Sequence, residues 1–106
     1  MTPQRWLTAI PMKYAEGPAF WGRDAGLTCL GLQRAGAQGR FVALGPAAES
    51  ENPPLILTDL ASLREANWWK QWRADAVLLN AWAAPRYEPV ARAIREAGSK
   101  LIVRLD

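Results

Sequence analysis

The chain contains no histidine and a single cysteine, Cys29. Without histidine there is no Ser-His-Asp or Cys-His relay, and no imidazole to bind zinc. One cysteine excludes an intramolecular disulfide and a cysteine-cluster metal site within one chain. Cys29 stands among apolar residues, which points to an inert buried thiol rather than a nucleophile. No apolar run reaches membrane-spanning length and no leader-like segment opens the chain, so a cytoplasmic address is the expectation. The formal charge of +3 comes mostly from arginines scattered between Arg5 and Arg104. That reads as solvated surface and argues against a nucleic-acid partner. Neither Gly-x-Gly-x-x-Gly nor a Gly-Lys-Ser/Thr loop is present, which disfavours a dinucleotide or nucleoside-triphosphate site. Neither a cofactor nor a metal is expected.

What is present is an alternation of apolar runs and amphipathic segments. Its 106 residues, half of them apolar, allow one small domain. Arg5 to Pro11 reads as a first strand, followed by a turn-rich segment with Gly17, Trp21 and Gly22. Asp24 suits the N-cap of a helix to about Ala35, with Leu27, Leu30 and Gly31 on one face and Gly36 as its stop. Gly31 in mid-helix makes sense if that face presses on a sheet. Arg40 to Leu44 and Leu55 to Leu57 are short strands separated by a polar loop, Glu49 to Pro54. Ser62 and Glu65 have capping-box spacing, so a helix is expected from Leu63 to about Arg73. Asp75 to Trp82 is a continuous apolar strand, and Arg86 to Ala97 is an amphipathic helix with Glu88–Arg92 and Arg92–Glu96 pairs. After the stop at Gly98 comes a last strand, Lys100 to Leu105. The order predicts an α/β domain, a three-layer α/β/α arrangement on a mostly parallel sheet of about five strands.

Three constellations carry chemistry. Gly17 and Gly22 permit close backbone approach to a ligand beside the helix that opens at Asp24; the plain alternative is a strand-to-helix loop. Trp68, Trp69 and Trp72, interleaved with Lys70 and Arg73, suit either packing beneath the sheet or contact with a membrane surface or neighbouring domain. Packing is the reading favoured here. Finally, Asn80 and Trp82 close one strand, while Arg104 and Asp106 close the next. Ligands of open α/β sheets bind at the carboxyl ends of strands. Indoles that stack on sugar C–H faces, with amide, guanidinium and carboxylate groups that read hydroxyls, suit a polyhydroxylated ligand. The plain alternative gives Asp106 and Arg104 only terminal and surface roles.

The segment Asp75-Ala-Val-Leu-Leu-Asn80, its following helix and Leu101-Ile-Val-Arg-Leu-Asp106 resemble the N-terminal half of GT-B glycosyltransferases of the large group 1 class. Gly22-Arg-Asp-Ala-Gly26-Leu, the helix ending at Gly36, and Phe41-Val-Ala-Leu44 are similar to that family's glycine-bearing loop, first helix and second strand. The resemblance implies a Rossmann-like domain over residues 1–106 that holds a sugar or glycan acceptor. A further, C-terminal domain would hold the nucleotide-sugar donor. It implies acceptor contacts from Gly17, Trp21, Gly22, Asp24, Asn80, Trp82 and Arg104, and chemistry at Asp106. Asn80 stands where the family often has histidine, and Asp106 at or beside a strand-end histidine. The rival expectation is a non-catalytic α/β interaction module of flavodoxin- or receiver-like topology, docking through its tryptophans. A receiver needs an acid where Asn80 stands.

Overall fold

The computed structural model describes residues 4–14, 24–51, 53–81 and 87–105. Its elements are β1 (Arg5–Lys13), α1 (Asp24–Arg34), β2 (Gln38–Leu44), β3 (Ala48–Glu51) and β4 (Pro54–Thr58). They continue with α2 (Leu60–Leu63), α3 (Ala66–Lys70), β5 (Ala76–Ala81), α4 (Glu88–Glu96) and β6 (Lys100–Leu105). The strands form one sheet in the order β3-β4-β2-β1-β5-β6. All neighbouring pairs are parallel except β3 with β4. The α/β class and the mostly parallel sheet agree with the sequence pattern, which predicts about five strands where six are observed. The additional strand is β3, Ala-Glu-Ser-Glu, which falls largely within the expected polar loop. It has no apolar alternation to announce it, and its place comes from hairpin pairing with β4.

Side chains alternate across each strand, so each face gathers its own core. Leu7, Ala9, Val42, Ile56, Val77 and Leu79 pack with Leu63, Trp69, Val90, Ala93 and Ile94 of α2, α3 and α4. Residues of the opposite parity, Ile10, Phe41, Ala43 and Leu55, surround Cys29 of α1. Gly36 and Gly98 end α1 and α4 at φ of 92° and 89°, the left-handed backbone that glycine adopts without a Cβ clash.

The inner face of α1 differs from the expected one. Cys29 is fully buried and Gly26 is buried, while Leu27 is 55% exposed. Small side chains bring this helix onto the sheet, and the leucine that dominates the apolar pattern faces outward. Gly31 is exposed, and a Cβ built there meets nothing within 4 Å. It does not press on the sheet. Gly31→Ala is therefore expected to raise stability by about 0.5–1 kcal/mol, because alanine gives up less backbone freedom on folding. The check is a higher urea midpoint at an unchanged slope; a lower midpoint contradicts it.

The helix expected from Leu63 to Arg73 is divided into α2 and α3. Asp59 caps α2, its Oδ1 accepting from the Ser62 backbone N–H at 2.7 Å. That hydrogen bond holds the Asp59 carboxyl below the usual carboxylate range. Ser62 thus lies inside α2, and the Ser62–Glu65 capping box is not formed. Glu65 occupies the N-cap position of α3 with extended backbone and makes no capping bond through its side chain. A carboxylate one turn upstream is the stronger acceptor and sets the earlier start.

Candidate functional site

The chain goes from β1 to β2 on one side and reaches β5, after β4, on the other side of β1. The strand order reverses between β1 and β5. In open α/β sheets the ligand crevice lies outside the carboxyl ends of strands at such a reversal. Here the local sequence opens it. The β1–β5 ladder runs from Trp6 opposite Ala76 to Ala9 opposite Leu79 and stops there. Pro11, two residues further along β1, has no N–H to donate, and the β1–β2 register slips between Ala9 and Lys13.

Asn80 is the first β5 residue past the end of that ladder, while its other edge stays paired with Arg104 of β6. It is 2% exposed, and its Oδ1 has no hydrogen-bond partner. An orphaned buried acceptor costs about 1–3 kcal/mol. That cost marks Asn80 as something other than a packing choice, since an apolar side chain of similar volume would carry no such penalty. The structure brings Asn80 and Arg104 together as direct register partners on one face. Arg104 is exposed. Asp24 opens α1, the helix that follows β1. Gly17, Trp21, Gly22, Trp82 and Asp106 lie outside the described residues.

Thr8, on the same face of the sheet, is fully buried and was not singled out by sequence pattern. Burial pushes the Cys29 thiol up to about 11, and the nearby Thr8 hydroxyl opposes the rise without reaching hydrogen-bonding geometry. The thiol is the inert group its apolar surroundings imply. Its ordinary value is 9.0, so between that pH and about 11 the folded state keeps a proton the unfolded chain has lost. Stability should fall as pH rises through this window, and Cys29→Ala should flatten the slope. Urea titrations at pH 8.5 and 10.5 check it; identical slopes for the two proteins contradict it.

The tryptophan segment resolves toward packing at its centre. Trp69 is 1% exposed, and its Nε1 donates to the Leu63 carbonyl oxygen at 2.8 Å. Trp68 meets Trp69 edge-on at 4.8 Å between ring centroids and Trp72 at 5.9 Å. Trp68 and Trp72 are half-buried against the same core.

A second concavity lies at the opposite, amino ends of the strands. This groove of about 720 Å³ is lined by Arg5, Trp6, Gln38, Arg40, Gln71 and Trp72, among others. Sequence pattern did not reveal it, because its members come from five separate connections and strand starts. Its polar groups serve one another. Arg5 Nε donates to Gln38 Oε1 at 3.2 Å. Arg40 lies 3.8 Å from Glu49, 3.6 Å from Glu51 and 5.7 Å above the Trp72 ring. Such mutual pairing fits a structural clasp of the β3–β4 hairpin better than a ligand site.

Among the described residues, no group of three histidine, cysteine, aspartate or glutamate side chains is placed to hold a metal ion. No described helix is long and apolar enough to cross a membrane. No protein-family model matches the chain, and neither a curated protein nor a solved structure matches it.

Proposed function

We propose that this chain is the acceptor-side, Rossmann-like α/β/α domain of a GT-B-type glycosyltransferase, with a cytoplasmic address. The observation that carries the reading is Asn80, a buried amide with an unpaired oxygen at the reversal between β1 and β5. An acceptor sugar supplies the missing donor through a hydroxyl. Arg104, its register partner, adds a cation at the rim, and Asp24 stands at the start of α1. Gly17 and Gly22 shape the loop after β1, and Trp21 and Trp82 supply stacking faces.

Asp106 follows β6 directly in sequence. In this reading its carboxylate takes the proton from the attacking acceptor hydroxyl as the new glycosidic bond forms. The donor nucleotide-sugar is held by a further domain, so the chain alone binds acceptor and transfers nothing. Saturation-transfer NMR against a panel of mono- and disaccharides, with free nucleotides as controls, tests this. Saturable signals from one class of saccharide and none from nucleotides are expected. Binding of nucleotides without saccharides would overturn the reading.

A further inference from the structure

β6 is the last strand of the sheet, and among the described residues only one of its edges is paired. Its side chains are unusual for that place. Ile102 is 38% exposed and Val103 is 44% exposed, and as successive residues they point to opposite faces. Apolar side chains on both faces belong to strands in the interior of parallel sheets. Exposed edges are normally blunted by charge, proline or a bulge. β6 has no proline, and its ladder with β5 is regular from Ala76 opposite Lys100 to Ala81 opposite Leu105. Its only charges, Lys100 and Arg104, share the face of Ile102 and are both positive.

We propose that the free edge of β6 is a docking site for an extended segment of another polypeptide. The segment carries an acid, three apolar residues and an acid. The acids face Lys100 and Arg104, and the apolar triplet runs beside Leu101, Ile102 and Val103. Added strands gain affinity from main-chain hydrogen bonds and specificity from alternate side chains. Charge decides the occupant. A second copy of this chain, paired antiparallel about Ile102, sets Lys100 against Arg104 at both ends, and like charges directly opposite are destabilising. An acid-flanked segment turns the same two positions into attractive pairs.

The test uses the 106-residue chain and a fluorescein-labelled peptide containing Asp-Val-Ile-Val-Asp, with Lys-Val-Ile-Val-Lys as its counterpart. Fluorescence anisotropy should show the acidic peptide binding at least about tenfold tighter, a gap that narrows with salt. The double variant Lys100→Glu with Arg104→Glu should reverse the preference, and Lys100→Glu alone should reduce it. Loss of folding cannot produce a reversal. Equal affinity for both peptides, no saturable binding, or an unreversed preference overturns the proposal. So does a concentration-dependent dimer of the free chain that is dissolved by Ile102→Lys, since that makes a second copy the occupant.

Discussion

Trp69→Ala is expected to cost about 3–5 kcal/mol and to leave the domain barely folded at room temperature. Trp69 is among the largest fully buried side chains and joins α3 to the core shared by β1, β2, β4 and β5. Truncation removes apolar contact on all sides and opens a cavity that the rigid sheet cannot fill. It also strips the Leu63 carbonyl of its 2.8 Å partner. A domain of this size has roughly 5–15 kcal/mol of total stability, so the loss is a large fraction of the whole. Trp69→Phe keeps most of the volume but not the donor, and should cost about 1–3 kcal/mol. Urea unfolding followed by circular dichroism orders the three proteins. An unchanged midpoint for Trp69→Ala contradicts the packing described here and returns this segment to the surface.

Asn80→Leu should do the reverse: keep the fold and abolish the binding. The substitution replaces a buried amide of similar volume and removes an acceptor that has no partner. Stability should hold or rise by about 1 kcal/mol, because an unmade buried hydrogen bond is no longer a penalty. Saccharide affinity should fall by at least about tenfold, the loss of roughly 1.4 kcal/mol or more of contact. The pairing of the two readouts matters. A residue kept for packing loses stability when replaced; a residue kept for a ligand loses only the ligand. If Asn80→Leu unfolds the domain, the amide is a structural part of β5 and the crevice has lost its reader.

The parallel sheet was legible because its strands are apolar on both faces. Runs such as Phe41-Val-Ala-Leu44 and Ala76-Val-Leu-Leu79 have one structural solution in a covered sheet. The glycine stops at Gly36 and Gly98 were equally clear, and both take the left-handed backbone that requires them. In α4 the expected Glu88–Arg92 pair forms at 3.3 Å. Elements decided by pairing rather than pattern were hidden. β3 is polar and exists through its hairpin with β4, and the choice between Asp59 and Ser62 as a cap turned on acceptor strength. α1 misled because leucine weighs more than glycine or cysteine in any apolar count, whereas close approach to a sheet favours the small residues. The candidate site shows the same division. Strand-borne Asn80 and Arg104 are adjacent as the parallel strands dictate, and the role of Pro11 in ending the β1–β5 ladder emerged only from the register.

The most direct test of the account is an amide and side-chain NMR titration of the chain with the saccharide that responds best. The account predicts shift changes concentrated at Ile10, at the Asn80 side-chain amide and at Arg104, around the end of the β1–β5 ladder. Changes concentrated at Arg5, Gln38, Arg40 and Trp72 would contradict it, placing the ligand in the groove at the amino ends of the strands.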